Sequence, residues 1–266
     1  AGQTFSLTTN PDNRTGTSQD DTFSGQEFGT LGSNDVLDGS GGDDVLSARF
    51  DLSGNDTDPN PAPTVSDIED IRITGRNGNN GGDDKVTYDA SSTTGAEIIQ
   101  ASNFNTNASG GAGDAAFTVE NVGQDVALGI RGGNGDAEVT GTFNNLSGGG
   151  DAVNVEFSNQ GSANDLKING IETVTAIANG ESNQLATFTT NNATTLNIEG
   201  DGELTINNPE DNSGSLETID ASANSGGVQL GTDNIQVNDG SATLETITGG
   251  SGDDTVHLAG GSVATD

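Results

Sequence analysis

The sequence predicts an all-β fold, a parallel β-solenoid of β-roll type, and three observations carry the prediction. Gly249-Gly250-Ser251-Gly252-Asp253-Asp254-Thr255-Val256-His257 fits the nonapeptide G-G-x-G-x-D-x-U-x, in which U is a large apolar residue. Short runs of Val, Ile, Leu and Thr separated by Gly, Asn and Asp recur along the chain, and no stretch of useful length has helical periodicity. Apolar residues are only 29% and aromatics 4% of 266 residues, thin for one thick core but enough for the narrow seam of a solenoid.

In the nonapeptide the glycines allow a tight turn, so that carbonyls and the Asp carboxylate converge on a hard cation. The apolar residue two places on starts a strand that faces the core. The alternative is an ordinary Asp-Gly turn, in which Asp bonds its own backbone. Low hydrophobicity and a net charge of -34 would by themselves suggest disorder, but the recurrent strand patterns oppose it.

Taken in order, Gly2 to Thr9 alternates apolar and polar residues and reads as a strand ending at the turn Asn10-Pro11-Asp12-Asn13. Gly16 to Phe23 is a weakened nonapeptide that keeps Asp21 and Phe23 but has Gln19 where a Gly belongs. A tandem follows, in which Asp35 and Leu37 are repeated as Asp44 and Leu46, and adjacent repeats of a roll could together cage calcium. Asp51 to Pro63, with three prolines, reads as a loop that cannot continue a ladder. Val65 to Gly75 reads as one strand, and Asp83-Asp84-Lys85-Val86 restores the Asp-x-U signature.

Between Ala101 and Gly150 the strings Gly110 to Phe117 and Gly132 to Val139 keep the glycines but place Ala115 and Ala137 where the Asp belongs. This middle third is therefore expected to hold fewer ions than either end. The last third predicts short strands at Leu166 to Ile168, Glu172 to Thr175, Leu196 to Ile198, Leu204 to Ile206, Leu216 to Ile219, Val228 to Leu230, Ile235 to Val237, Leu244 to Ile247 and Val256 to Leu258. Ile171-Glu172-Thr173-Val174, Leu216-Glu217-Thr218-Ile219 and Leu244-Glu245-Thr246-Ile247 repeat one unit, echoed by Ile68-Glu69-Asp70-Ile71. Its outer apolar residues are three apart, so a bend or bulge is expected inside it. The chain reads as a single elongated domain over 1–266, with the region 100–150 as the candidate sub-boundary.

Charge narrows the partners. With 41 Asp and Glu against 7 Lys and Arg, neither nucleic acid nor an anionic membrane is an expected partner, since both call for basic patches. Many carboxylates are Asp beside Gly or Asn, the arrangement of loop ligands, which makes several calcium ions the natural counterpart. The candidate ligands are Asp21, Asn34, Asp35, Asp38, Gly42, Asp43, Asp44, Asp83, Asp84, Gly250, Gly252, Asp253 and Asp254. No Cys is present for disulfides, thiol chemistry or a cysteine zinc site, and the single His257 makes neither a triad nor a zinc site. No apolar run is long enough to span a bilayer, so membrane insertion is not expected, and without a signal peptide at Ala1 the chain reads as a mature product or a fragment.

The sequence resembles the lattice-forming part of RTX-type bacterial surface-layer proteins, a calcium-dependent family. The resemblance rests on Gly16 to Phe23, Asp35 to Leu46, Ile68-Glu69 followed by a strand, Ala193 to Asp201, and Gly249 to Val256. It implies export by type I secretion, folding outside the bacterial cell, and calcium-driven self-assembly into a sheet on the cell surface. Any hold on cell-surface polysaccharide would lie in a region outside this chain. The expected function is thus structural rather than enzymatic, with an adhesin or matrix-fibre segment as the alternative. A less favoured alternative is a calcium-dependent polysaccharide lyase, since parallel β-helices also host such enzymes, with Asp83, Asp84, Lys85, Tyr88 and Asp89 as its cluster.

Overall fold

A computed structural model describes residues 1–52, 58–76, 85–104, 115–132, 137–160, 164–211, 216–231, 238–239 and 246–257. Among these the regular elements are all strands, and the chain divides into two compact units, Ala1–Asn144 and Asn145–Asp266. Each unit is a parallel β-solenoid.

The strands of the first unit are β1 (Thr4–Ser6), β2 (Asn13–Thr15), β3 (Thr22–Phe28), β4 (Val36–Asp38), β5 (Val45–Asp51), β6 (Thr64–Ser66) and β7 (Asp70–Arg76). They continue with β8 (Lys85–Asp89), β9 (Thr93–Thr94), β10 (Ile98–Ser102), β11 (Ala115–Val122), β12 (Ala127–Arg131) and β13 (Ala137–Phe143). The chain visits three sheets in turn: β1-β3-β5-β7-β10-β12, β2-β4-β6-β9, and β8-β11-β13. All the pairings are parallel, with Thr22 opposite Val45 and Val45 opposite Asp70. This register stacks the U positions: Phe23, Leu46, Ile71, Ile99 and Leu128 form one buried column along the first sheet. Leu37 and Val65 continue the seam in the second sheet, and Val86, Phe117 and Val139 in the third. The aromatic residues add their area here, with Phe5 stacked on Phe23 at 5.1 Å and Phe104 tilted against Phe117 at 5.4 Å.

The second unit contains β14 (Ala152–Ser158), β15 (Asn164–Ile168), β16 (Thr173–Asn179), β17 (Ser182–Thr190), β18 (Thr195–Gly200) and β19 (Glu203–Asp211). After these come β20 (Thr218–Asn224), β21 (Val228–Leu230), β22 (Asn238–Asp239), β23 (Thr246–Thr248) and β24 (Thr255–Val256). One sheet runs β14-β16-β18-β20-β23 and the other β15-β17-β19-β21-β24, with β22 beside β19. Val153, Val174, Leu196 and Ile219 form the column in one, and Leu185, Ile206 and Leu230 align in the other.

Two sequence expectations need correction. Val65 to Gly75 is not one strand: β6 and β7 belong to different sheets, and the chain turns between them at Asp67, whose φ is 50°. Both apolar ends of Ile68-Glu69-Asp70-Ile71 are nevertheless buried, because Ile68 fills the corner and Ile71 the strand. The same bend lies in Ile171 to Val174 and Leu216 to Ile219, whose strands begin only at Thr173 and Thr218. The proline-rich loop, for its part, does carry a piece of ladder: Thr87 and Asp89 donate their amides to the carbonyls of Pro59 and Pro61 at 2.9 and 3.0 Å. Proline lacks a donor but keeps its acceptor.

Candidate functional site

The acidic residues of the repeats line up at the corners where the chain enters a strand. Entering the first sheet of the first unit, Asp21, Asp44, Glu69 and Glu97 immediately precede β3, β5, β7 and β10, which are paired in that order. Asp12 and Asp35 hold the same place before β2 and β4. Asp151, Glu172 and Glu217 hold it in the second unit before β14, β16 and β20. Asp35 and Asp44 therefore stand at different corners, each stacked on the Asp found 23 residues earlier, and they do not face one another as adjacent repeats of one cage.

These carboxylates bond the backbone in two directions. Toward the preceding coil, Gln3, Asp12 and Asp21 donate their amides to Asp21 Oδ1, Asp35 Oδ1 and Asp44 Oδ1 at 2.5, 2.8 and 2.6 Å. Asp44 donates in turn to Glu69 Oε2 at 2.7 Å, and Asp151 to Glu172 Oε2 at 3.0 Å. Within the turn, Asp12 Oδ2 accepts from Thr8 at 2.6 Å, Asp35 Oδ2 from Gly32 at 2.8 Å, and Asp21 Oδ2 from the Thr17 amide. Asp254 repeats both bonds, accepting from Val228 at 2.9 Å and Gly250 at 2.7 Å. The Asp-Gly turn in which Asp bonds its own backbone is thus present, extended by a second bond from coil to coil.

Burial makes these bonds count. Asp12, Asp21, Asp35 and Asp44 are all buried. Burial alone would raise the Asp21 carboxyl, but the amides of Gln3 and Thr17 outweigh it and hold the group below the usual carboxylate range. At Asp44 the balance reverses: burial, together with the charges of Glu69, Asp21 and Asp20, pushes the carboxyl up against the bond from Asp21. Asp44 Oδ2 is buried without a hydrogen-bond partner.

The other candidate ligands are dispersed. Asn34, Asp43 and Asp253 are exposed, Asp38 Oδ1 accepts the Ser40 amide at 2.9 Å, and the Asp43 amide bonds Asp20 Oδ1 at 3.1 Å. Gly250 and Gly252 are required by close approach of coils, since a Cβ there would stand 2.2 Å from Asn224 O and 2.3 Å from Gly227 N. Gly42, at φ 117°, is fixed by its conformation as well. Asp83 and Asp84 lie outside the described residues. Among the described residues no three Asp, Glu or His side chains gather as a metal cluster. What is gathered is an oxygen-only donor set of carboxylates and carbonyls, which suits a hard cation such as calcium rather than zinc. It is tightest beside Gly39, where Asp67 O and Asp44 Oδ2 lie 1.7 and 2.4 Å from the position a Cβ would take.

Ala115 and Ala137, which replace the Asp in the middle third, stand opposite each other in β11 and β13, and Ala137 is buried. Of the lyase cluster's described residues, Lys85 and Tyr88 do not share a face: Lys85 is exposed, whereas Tyr88 is fully buried with its hydroxyl 2.9 Å from Thr93 Oγ1. Burial pushes that phenol far above its ordinary range. In the second unit Asn183 and Asn224 do the corner work without charge, through roles the sequence reading missed. Asn183 accepts from Gln160 at 3.2 Å and donates to Glu203 O at 3.3 Å, and Asn224 accepts from Gly227 at 2.8 Å and donates to Gly202 O at 3.1 Å. A search of protein-family models and of curated proteins returns no match to the chain.

Proposed function

We propose that this chain is a structural, calcium-binding module of a bacterial cell surface, and that calcium drives its solenoid to fold and to self-assemble into a surface layer. The observation that carries the reading is the stacked acidic corner, in which Asp21, Asp44 and Glu69 follow one another from coil to coil in a chain of net charge -34. Like charges at one corner repel, and the repulsion is strongest where water is excluded. A hard cation relieves it with the oxygen ligands already there, and export places the chain where calcium is available. Extracellular calcium modules bind at about 10⁻⁴ to 10⁻³ M, concentrations absent from cytosol. Asp21 and Asp35 hold backbone amides through both carboxylate oxygens, which supports a structural role for the corners.

Electron microscopy of the purified chain, dialysed into millimolar calcium or into chelator, tests the assembly. A planar lattice seen only with calcium is the expected outcome. Isolated fibres would favour the matrix-fibre alternative, and monodisperse particles under both conditions would overturn assembly by this chain.

A further inference from the structure

The acidic turns are alike in sequence and unlike in chemistry. At Asp12, Asp21 and Asp254, Oδ2 accepts the amide of the residue four positions earlier, and at Asp35 that of the residue three earlier. The corresponding donor for Asp44 is Ser40. Ser40 sits at φ 71°, in the left-handed region that a side chain disfavours, and its amide is turned to Asp38 Oδ1 at 2.9 Å. Asp44 Oδ2 is consequently left with no partner in a residue that is 0% exposed. A buried polar atom in this condition is costly, so it marks a place where an outside partner gains most.

The surroundings say what kind of partner. Asp67 O and Asp44 Oδ2 crowd the same point beside Gly39, while the one backbone amide that reaches Asp44, that of Asp21, is spent on Oδ1. At the equivalent point beside Gly16 the arrangement repeats, with Gly39 O and Asp21 Oδ2, but there Oδ2 already holds the Thr17 amide. Two oxygens, one anionic and one a carbonyl, without a competing donor, call for a hard cation.

We infer that the Asp44 corner is the strongest divalent-cation site among the described turns, with calcium seated by Asp44 Oδ2 and the Asp67 carbonyl. Ser40 and Asp38 set this preference by withdrawing the amide that silences the other corners. The inference rests on the calcium reading and refines it: calcium does not fill equivalent repeats evenly, but enters first where one turn fails to satisfy itself. Since a hydrogen bond to a charged group is worth about 1.5–3 kcal/mol, the amide-held corners should bind at least about tenfold more weakly.

Calcium titration calorimetry on the whole chain tests it, comparing wild type with Asp44→Asn, Asp38→Ala and, as a control at an exposed carboxylate of β13, Glu138→Gln, with circular dichroism confirming that each variant reaches the wild-type β-signal in saturating calcium. Asp44→Asn keeps Oδ1 for the Asp21 amide and sets an NH₂ toward the Asp67 carbonyl, so it should lose the tightest binding step while folding at least as well as wild type in chelator. Asp38→Ala frees the Ser40 amide to reach Asp44 and should weaken that step severalfold with the Asp44 carboxylate still present. Glu138→Gln should leave it unchanged. A tightest step that survives both Asp44→Asn and Asp38→Ala, or that falls equally in Glu138→Gln, would overturn the inference while calcium binding itself stood. Absence of any calcium binding by wild type would instead remove the calcium reading and this refinement with it.

Discussion

At the scale of the residue, the nonapeptide glycines owe their place to geometry that holds whether or not a metal is bound. The Asp side chain folds back over the turn, and the next coil lays a carbonyl against the same spot, so the first residue of the motif has no room for a side chain. Gly39 shows this most sharply, because a Cβ would come within 1.7 Å of Asp67 O and 2.4 Å of Asp44 Oδ2. Neither neighbour can move freely, the one being backbone and the other buried. Gly39→Ala should therefore destabilise the first unit by about 3 kcal/mol or more. Two residues on, Gly41 has nothing within 4 Å of its Cβ position and no left-handed φ. Gly41→Ala should fall within about 1 kcal/mol of wild type, on either side. Urea denaturation of the two variants side by side measures the contrast, and equal losses would remove the steric account of the motif.

At the scale of the element, the repeat that matters is corner plus strand, and it explains why some of the fold could be read from the sequence and some could not. Asp35-x-Leu37, Asp44-x-Leu46 and Leu196 to Ile198 were legible because polar corner and apolar strand sit at fixed spacing. The Ile68-Glu69-Asp70-Ile71 type was legible only as an anomaly. Its spacing of three announced a bend, but not that Glu occupies the place of the motif's Asp and bonds the same amide. β14 and β17 gave weaker signals: β14 does carry Asp-x-U in Asp151-Ala152-Val153, with Val155 and Phe157 also inward, but it lies in the Gly-rich stretch that reads as loop, and β17 is rich in Thr, Asn and Gln. Asn183 and Asn224 gave no signal, since a buried ladder amide is indistinguishable in sequence from a turn residue. The corner role of Glu can be tested where no candidate calcium ligand is involved. Glu172→Ala removes the acceptor 3.0 Å from the Asp151 amide and should cost about 1–2 kcal/mol in urea unfolding, whereas Glu172→Gln, which keeps an oxygen there, should recover most of it. If Gln and Ala lose equally, the charge and not the hydrogen bond is what the corner uses.

At the scale of the whole molecule, two opposing terms meet, and under the proposed function calcium would decide between them. The corner ladder satisfies backbone amides with carboxylates, which favours the coiled form even without metal. Against it stand a net charge of -34 and an apolar content of 29%, so that each short strand buries little surface against its ordering entropy. Backbone entropy is about 1–2 kcal/mol per residue and a hydrogen bond contributes about 1 kcal/mol net, so the ladder alone does not offset ordering, and the proposed switch requires that the apolar columns do not make up the difference while the charges repel. Calcium bound as proposed would supply ligand bonds and cancel charge together, and because each coil packs only on its neighbours, ordering one would favour the next. The expected outcome of a calcium titration followed by circular dichroism and light scattering is therefore a cooperative gain of β-structure, with particle growth at or above the same concentration. Sodium chloride separates the two contributions of the ion. At 1 M it shortens the screening length to about 3 Å and relieves long-range repulsion, but it coordinates nothing at a buried corner. Salt should thus restore only part of the β-signal that calcium restores in full. Complete β-structure in excess chelator at low salt would refute the switch and show that the carboxylate-amide ladder suffices. Complete recovery in salt alone would leave screening, and not coordination, as the effect of calcium.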